Sequence, residues 1–283
     1  MASSSVFKPD VFEGKVVFVT GGGSGICYGI TEELMRLGAS STIFGRRLPV
    51  LQSSAARLTS STGRPCLAVS GDVRDLASLE AAVAATVKKY GKIDFVVAGA
   101  AGNFLAPLEG LSANAFRTVL EIDTIGTYNT FKATIAQVEK SKGAYLAISA
   151  TLHYTATPLQ AHVSAAKAGV DALLKSIAIE YGPRGVRSNI IAPGPIEGTE
   201  GVSRLIPEDV KSRATLHIPL QRLGTVSDIA HSAAFLFSPA ASYITGACLV
   251  VDGGSWHLQG SVGSAPYPEA FLPGGMEKVR GKL

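Results

Sequence analysis

Seven short apolar runs, separated by stretches with helical spacing, constrain this 283-residue chain more than any other feature. Most are rich in valine and isoleucine, which is typical of strands buried on both faces of a parallel sheet. The runs are residues 16–20, 40–45, 66–70, 93–98, 144–149, 187–192 and 247–251. Because strands and helices alternate, we predict an α/β fold, a Rossmann-type doubly wound parallel sheet of about seven strands with helices on both faces.

Two of the intervening stretches carry clear helix signals. Apolar residues recur at intervals of three and four along 76–90, which draws one apolar stripe down a helix that Asp75 could cap. Thr225 and Asp228 have the spacing of a capping box and predict the start of a helix leading to Phe237. In a doubly wound sheet, ligands bind at the carboxyl ends of the strands, so we expect the functional residues there.

Composition excludes several classes of protein. Hydrophobic residues make up 46% of the chain and charged residues 17%, which indicates a folded globule rather than a disordered chain. The 26 basic and 22 acidic residues leave a net charge of +4 without a basic run, so no nucleic-acid partner is expected. No segment has the composition of a membrane span or a secretory signal, so no membrane partner is expected.

No metal site and no disulfide framework are expected. The histidines have no metal-ligand spacing. The cysteines are too few and too scattered for paired zinc ligands or for disulfides, and they fit a reducing compartment. They are Cys27, Cys66 and Cys248.

A glycine-rich loop follows the first predicted strand and precedes a helical stretch that ends near Leu37. Glycines permit a tight turn and a close backbone approach, while the free N–H groups and the dipole of a helix start attract a pyrophosphate. With no repeat or linker, residues 1–283 are therefore predicted to form a single dinucleotide-binding domain. The candidate cofactor-binding residues of the loop are Gly21, Gly22, Gly23, Ser24, Gly25 and Ile26.

The end of the second strand indicates which dinucleotide is bound. An acidic residue at this point would bind the ribose of NAD, but the chain has Arg46 and Arg47 there. Arginine suits a 2′-phosphate, so NADPH is the predicted cofactor, with Arg46 as the candidate ligand. Asp72 and Val73, which follow the third strand, are expected beside the adenine.

The chain resembles the short-chain dehydrogenase/reductase family over residues 12–254. The matching positions are Thr20 to Ile26, Asp72, Ala98 to Gly102, Asp123 to Gly126, Lys167, Pro193-Gly194 and Asp252-Gly253-Gly254. The resemblance implies a catalytic Ser, Tyr and Lys, with the Tyr four residues before the Lys.

The chain departs from the family at positions that matter for chemistry. Lys167 is present, but Val163 stands at the Tyr position and Ala150 at the Ser position, and neither can transfer a proton. Cys27 replaces the last glycine of the loop, which puts the packing of the following helix in question. Asp123 replaces the Asn that usually opens an Asn-x-x-Gly segment.

These departures resemble a subgroup of the family, the peroxisomal 2,4-dienoyl-CoA reductases, and the fungal ones in particular. The matching segments are 100–104, 122–124, 149–151, 220–224 and 239–243. The likeness implies NADPH-dependent reduction of a 2,4-dienoyl-CoA to a 3-enoyl-CoA in β-oxidation of unsaturated fatty acids, by a homo-oligomer. The final residues Gly281, Lys282 and Leu283 resemble the Ser-Lys-Leu address that the peroxisomal import receptor binds. Without that signal, a cytoplasmic location is expected.

The subgroup also implies roles for individual residues. A water held by Asp123 and Lys167 would supply a proton, and Lys167 would also hold the nicotinamide ribose. Asn103 or its neighbours could donate to the enolate oxygen. The segment expected along the nicotinamide contains Pro193, Gly194, Pro195, Ile196 and Thr199.

The substrate path is also implied by the subgroup. Residues 198–219 are expected to form a substrate lid, and residues 255–283 a C-terminal arm that wraps a neighbouring subunit. Phe104 would lie against the acyl chain. The substrate-binding candidates are Arg74, Phe104, Ser112, Asn114 and Arg204.

Two other functions remain open at this point. One is a carbonyl reductase in which His162 or Tyr154 replaces the missing phenol. The other is a catalytically silent NADP-binding scaffold. Asp123 could also be a buried acid that only caps the following turn.

Overall fold

A computed structural model describes residues 7–199 and 215–258 and contains a seven-stranded sheet. The strands are β1 (Val16–Thr20), β2 (Ser40–Gly45), β3 (Cys66–Ser70), β4 (Phe95–Ala98), β5 (Ala144–Ile148), β6 (Arg187–Pro193) and β7 (Cys248–Val251). The helices are α1 (Gly25–Arg36), α2 (Leu48–Thr62), α3 (Leu76–Tyr90), α4 (Ala113–Leu120), α5 (Gly126–Ser141), α6 (Leu152–Thr155), α7 (Ala161–Tyr181) and α8 (Val226–Phe237).

All strand pairs are parallel, and their order is β3-β2-β1-β4-β5-β6-β7. The predicted doubly wound fold is therefore confirmed. The chain changes direction across the sheet between β1 and β4, where Val17 pairs with Phe95 on one side and with Ser41 on the other. Such a switch point opens a crevice at the carboxyl ends of the two strands.

Helices cover both faces of the sheet through two separate cores. In one core, Ile30 of α1, Leu58 of α2 and Ile229 of α8 are fully buried. In the other core, Leu79 of α3 and Leu174 of α7 pack against the opposite face. The strands are apolar on both faces because both faces are covered.

The predicted helix starts are confirmed by their caps. The Asp75 carboxylate accepts a hydrogen bond from the Ala77 main-chain N–H at 3.1 Å. The Thr225 hydroxyl accepts from the Asp228 N–H at 3.2 Å, and the Asp228 carboxylate accepts from the Thr225 N–H at 2.7 Å. This reciprocal arrangement satisfies two N–H groups that the helix itself leaves unpaired.

The fourth strand starts two residues later than expected, at Phe95 rather than at residue 93. The cause is Asp94, whose buried carboxylate accepts from the Val16 main-chain N–H at 2.9 Å. The same carboxylate lies 3.1 Å from both the Lys15 and Lys92 ammonium groups. Because the Asp94 carboxylate takes the Val16 N–H, a main-chain oxygen does not, and the regular pairing of β1 with β4 begins at Val17 and Phe95.

Some predicted segments lie outside the described residues. The expected lid, 198–219, falls mostly within 200–214, and Arg204 belongs to that part. The expected arm, 255–283, is described only as far as residue 258, so the C-terminal tripeptide also lies outside. Within residues 7–199 and 215–258, no helix has both the length and the apolar character that crossing a bilayer requires.

The approach of β5 to β4 depends on the absence of a side chain at Gly143. A Cβ at this position would overlap the main-chain carbonyl oxygen of Asp94, which accepts the Ala144 N–H at 3.1 Å. We predict that Gly143→Ala lowers the free energy of unfolding by about 2–3 kcal/mol, because backbone atoms cannot move aside. Urea unfolding followed by circular dichroism measures this.

Gly182→Ala is the matched control, since Gly182 has ordinary helical dihedrals and open space around it. We expect this control to be neutral or to stabilise the protein by up to about 1 kcal/mol. Equal unfolding midpoints for the two variants would contradict this account of the strand contact.

Candidate active site

A cavity of about 930 Å³ opens at the carboxyl ends of the strands, where the fold predicts the ligand. One end is formed by the glycine loop and by the residues after β2 and β3. The other end is formed by the loop after β4, the start of α7 and the segment after β6. The cavity therefore extends from the glycine loop to the segment after β6.

The glycines of the loop serve different purposes. Gly21 has φ +72°, and a Cβ there would stand 2.8 Å from the Gly99 carbonyl oxygen. Gly22 packs against Ile43 of β2, since a Cβ would stand 2.6 Å from that side chain. Gly25 has φ +57° and open space around it, and its neighbours Ser24 and Ile26 line the cavity. This loop fits a pyrophosphate, as a bare backbone at a helix start should.

Cys27 is accommodated because the residue that faces it across the loop, Gly99, has no side chain. The thiol is 5% exposed, and a Cβ on Gly99 would overlap its Sγ atom. Burial raises the pKa of the Cys27 thiol to about 12, against a weaker opposing effect of the Lys167 charge. Cys27 is therefore a neutral packing residue, which answers the question of how α1 packs without the usual glycine.

Arg46 and Arg47 line the far end of the cavity, together with Asp72 and Val73. Arg46 is exposed, so its guanidinium is accessible to a ligand. The pKa of the Asp72 carboxyl is lowered, mainly by hydrogen bonds from Arg74 and to a smaller degree by the Arg46 charge. Arginines and a carboxylate thus lie together where the ribose and adenine of a dinucleotide are expected.

Arg74 occupies a different place from the one expected of a substrate residue. Its Nη2 atom lies 2.6 Å from Asp72 Oδ2, and it is not among the described residues that line the cavity. Its exposed guanidinium borders the adenine end through Asp72. The role of Arg74 toward the substrate stays a prediction.

Asp123 and Lys167 form a buried ion pair at the centre of the cavity wall. The Lys167 ammonium lies 3.0 Å from Asp123 Oδ2 and donates to the Ile148 main-chain oxygen at 2.9 Å. Asp123 Oδ1 accepts from the Gly102 main-chain N–H at 2.7 Å. Four chain segments therefore meet at this pair.

A short π-helical turn, Glu121–Ile125, places Asp123 between α4 and α5. Such a turn inserts one extra residue into a helix and is frequent at functional sites. Asp123 has no exposed surface, whereas Lys167 keeps 7% of its own. A water bound at the pair would therefore contact Lys167, with Asp123 behind it as the counter-charge.

The wall beside this pair is apolar where the family has its reactive hydroxyl groups. Val163 and Ala150 line the cavity, and Val163 is 3% exposed. The hydroxyl of Ser149, one residue earlier, is buried and has no hydrogen-bond partner among the described residues. The site therefore lacks a phenol beside Lys167.

Tyr154 does not replace the missing phenol. Its hydroxyl donates to Asp171 Oδ2 at 3.0 Å and lies 2.9 Å from the Cys248 sulfur, on α7 and β7 respectively. His153 Nε2 lies 2.8 Å from the same Asp171 oxygen. Burial raises the pKa of Tyr154, and the residue is absent from the described cavity lining. Tyr154 anchors α6 rather than serving the cavity.

His162 is also unsuited to proton transfer in this arrangement. It is fully buried, and its ring stacks on that of Phe104 with centroids 4.2 Å apart. Burial lowers the pKa of the imidazole, against weaker effects of the Phe104 main chain and the Asp123 charge. His162 is thus a neutral packing partner of Phe104, and Phe104 itself lines the cavity.

The remaining candidates divide into two groups. Ser112 caps α4 by accepting from the Ala115 N–H at 3.1 Å, and Asn114 lies in the first turn of that helix. Neither is among the described lining residues, so their substrate roles stay predictions. The segment expected along the nicotinamide does line the cavity, with Pro193, Gly194, Pro195, Ile196 and Thr199.

Gln160 is a lining residue that the sequence analysis missed. Its side chain accepts a hydrogen bond from Asn103 Nδ2 at 3.2 Å. Gln160 immediately precedes α7, and its contact with Asn103 joins residues far apart in the chain, so no local sequence pattern reveals it. Among residues 7–199 and 215–258, no group of three His, Cys, Asp or Glu side chains could hold a metal ion.

Comparison with known proteins agrees with this geometry. The family described as enoyl-(acyl carrier protein) reductase matches residues 21–255. The peroxisomal 2,4-dienoyl-CoA reductase, (3E)-enoyl-CoA-producing, of Saccharomyces cerevisiae is 50% identical over 269 residues, covering 94% of this chain and 92% of that protein. The protein of the same description from Danio rerio is 47% identical over 253 residues, covering 89% and 84%.

Solved structures show the same architecture. A crystal structure of a short chain dehydrogenase from Bacillus anthracis is 37% identical, with a TM-score of 0.79, and covers 88% of this chain and 98% of that one.

The affinity for NADPH tests whether the cofactor phosphate lies against the main chain at Gly25. We predict that Gly25→Ala weakens NADPH binding by about tenfold or more, because a methyl group would displace the phosphate from donors worth about 1.5–3 kcal/mol. Fluorescence titration of the bound nicotinamide measures the dissociation constant.

Gly63→Ala is the matched control, since Gly63 has φ +69° and open space but lies at the end of α2. Both variants carry the strain of a left-handed alanine, about 1–2 kcal/mol. Equal loss of affinity in the two variants would show that the phosphate does not sit at Gly25.

Proposed function

We propose that this chain, which belongs to the short-chain dehydrogenase/reductase family, is an NADPH-dependent 2,4-dienoyl-CoA reductase that produces (3E)-enoyl-CoA. The observation that carries the proposal is the buried Asp123–Lys167 pair beside a wall where Val163 and Ala150 replace the reactive hydroxyl groups. The resemblance of the sequence to this family is confirmed, and relatives 45–50% identical carry that activity in their names.

The absence of a phenol favours a conjugated substrate over a ketone. Hydride addition to a ketone leaves a localised alkoxide, which requires a well-placed acid at once. Hydride addition to carbon 5 of a dienoyl thioester leaves a charge that is spread from carbon 4 to the thioester oxygen. Protonation at carbon 2 can follow separately, and the remaining double bond lies between carbons 3 and 4. A water at Lys167 is a sufficient donor, because the proton at carbon 2 is not needed at the moment of hydride transfer.

The chain's own residues would handle that proton. The Lys167 ammonium contacts the water and favours its ionised form, so the water can give its proton to carbon 2. The Asp123 carboxylate balances the Lys167 charge and holds its side chain in place, while Gly102 and Ile148 fix the two ends of the pair. Val163 and Ala150 offer no proton donor at the two positions where the family has its reactive hydroxyl groups.

NADPH, when bound, supplies the hydride. The residues that fit it are the glycine loop for the pyrophosphate, Arg46 for the 2′-phosphate, and Asp72 with Val73 for the adenosine. Lys167 would hold the nicotinamide ribose, and the segment from Pro193 to Thr199 would lie along the nicotinamide. The open space at Gly25 supports this placement.

The acyl-CoA would occupy the remaining part of the cavity. Phe104 offers an aromatic surface for the acyl chain, and its stack with His162 holds the ring in place. Arg74 and Arg204 are the proposed ligands of the CoA phosphates, since arginine suits such groups. Ser112 and Asn114 complete the proposed substrate path, and residues 198–219 would close over it.

We also propose a peroxisomal location and a homo-oligomer. The relatives named above are peroxisomal proteins. The terminal Gly281, Lys282 and Leu283 would be the residues that the import receptor recognises. The carbonyl-reductase alternative loses support, because the Tyr154 hydroxyl is bonded to Asp171 and Cys248 and His162 is buried against Phe104.

The ion pair gives a direct test of the proposed chemistry. We predict that Asp123→Asn lowers kcat for 2,4-hexadienoyl-CoA by about 10²–10⁴-fold, the range usual for proton-transfer groups. The amide can still accept from Gly102 but cannot balance the Lys167 charge. NADPH oxidation followed by absorbance measures kcat, and KM for NADPH should change less.

Tyr154→Phe is the control for this experiment, because the Tyr154 hydroxyl is used outside the cavity. We expect its turnover to match that of the unmodified protein. A collapse of activity in Tyr154→Phe, or an intact rate in Asp123→Asn, would contradict the proposal. Asn is preferred to removing Lys167, because the Asn amide can still accept from the Gly102 N–H and Lys167 stays in place to hold the cofactor.

The choice between NADPH and NADH tests Arg46. We predict that Arg46→Ala lowers the preference for NADPH over NADH by about tenfold or more, since a hydrogen bond to a charged group is worth about 1.5–3 kcal/mol. The ratio of kcat/KM for the two cofactors measures this. Arg184→Ala, which removes an exposed arginine paired with Glu139, should leave the ratio unchanged.

A further inference from the structure

Gln160 immediately precedes α7 and borders the same cavity as Lys167. Residues 160, 163 and 167 are separated by three and four positions, and all three line the cavity. Gln160 is 9% exposed, so its amide is nine-tenths buried and still borders the space for ligand. Lys167 lies seven positions further along the chain, which corresponds to a rise of about 10 Å where the chain is helical.

The amide of Gln160 is held by a neighbouring loop. Asn103 Nδ2 donates to Gln160 Oε1 at 3.2 Å, and the Ala106 N–H donates to the Leu159 carbonyl at 3.0 Å. The stacked rings of Phe104 and His162 join the loop after β4 to the first turn of α7. Three different contacts therefore fix the position of this amide relative to the cavity.

This pairing leaves amide N–H groups unused. One N–H of Asn103 is used by the carbonyl of Gln160, and no acceptor among residues 7–199 and 215–258 takes either N–H group of Gln160. If both amides were turned over, Gln160 would donate to Asn103 and the Asn103 amide would be the free one. Either way, one complete amide donor stays open beside the cavity.

The proposed reaction needs such a donor away from Lys167. Negative charge develops on the thioester oxygen, four carbons from the carbon that accepts hydride. The Gly102 N–H is already bonded to Asp123, and Lys167 is already bonded to Asp123 and Ile148. Donors aimed at a developing oxyanion usually contribute a large share of rate acceleration.

We propose that Gln160 is a catalytic residue whose side-chain amide donates to the thioester oxygen of the substrate, with Asn103 as the positioning residue that holds it. This inference rests on the proposed function. The start of α7 adds partial positive charge to the same region, which favours the negative oxygen further. The conjugated chain then lies along α7 with its thioester oxygen at Gln160, carbon 2 at the water on Lys167 and carbon 5 toward the nicotinamide.

Gln160→Glu separates donation from structure. A glutamate can still accept from Asn103, so the contact between the loops is kept, but an oxygen replaces the free amide. We expect kcat for 2,4-hexadienoyl-CoA to fall by about 10²–10³-fold, the effect of losing one oxyanion donor, with KM for NADPH unchanged. The kcat of Gln160→Leu should fall by the same factor, and the kcat of Asn103→Ala should fall less.

A spectroscopic measurement tests the contact itself. With NADP⁺ in place of NADPH no turnover occurs, and the absorption band of bound 2,4-hexadienoyl-CoA reports how strongly its carbonyl is polarised. We expect a shift to longer wavelength in the unmodified protein and no shift in Gln160→Glu or Gln160→Leu at saturating ligand. Loss of folding alone would abolish binding rather than remove the shift from bound ligand.

The outcomes separate the two proposals. If the unmodified protein reduces the dienoyl-CoA while Gln160→Glu keeps both the rate and the shift, this inference is overturned and the proposed function stands. If the unmodified protein neither binds nor reduces the dienoyl-CoA, both are overturned. Equal losses in Asn103→Ala and Gln160→Glu, with the band shift retained in both, would assign Gln160 a structural role only.

Discussion

The buried ion pair between Asp123 and Lys167 is the interaction on which the rest of the site depends. Charges this deep in a protein are tolerated only when they are paired and hydrogen-bonded. The pair meets that condition by using the Gly102 N–H and the Ile148 carbonyl, which belong to the ends of two adjacent parallel strands. The sheet, the π-helical turn and α7 must therefore all be in place before the pair can exist.

In the proposed reaction, the same pair removes the need for a phenol. A reaction that spreads its charge over a conjugated thioester does not need the immediately placed proton donor that an isolated alkoxide needs. Val163 and Ala150 then become acceptable as packing residues, and Tyr154 is free to anchor α6 through Asp171 and Cys248. A polar wall would offer competing proton donors at the wrong carbons.

Much of the fold could be predicted from the sequence because its signals are local. Short apolar runs marked the strands to within two residues, and the caps at Asp75 and Thr225 marked two helix starts. Lys167 was found by the resemblance to the short-chain family, and the vacant Tyr position was then located four residues before it. The glycine loop was found because a glycine cluster between a predicted strand and a predicted helix is a strong signal of a tight turn.

The missing details depend on contacts between distant parts of the chain. The sequence does not reveal that Gly99 makes room for Cys27, or that Asn103 pairs with Gln160 across 57 positions. The sequence also does not reveal that the Arg74 guanidinium pairs with Asp72, and the substrate role expected of Arg74 stays a prediction. The π-helical turn has no compositional signature, because packing of α4 and α5 decides where the extra residue goes.

The central claim is that hydride enters at carbon 5 and that the proton arrives separately at carbon 2, from water at the ion pair. Isotope placement in the product measures this directly. With NADPH dideuterated at the nicotinamide C4 in H₂O, the account predicts one deuterium at carbon 5 of the 3-enoyl-CoA. With ordinary NADPH in D₂O, it predicts one deuterium at carbon 2. Deuterium from the cofactor on a carbinol carbon, or none in any acyl product, would contradict it.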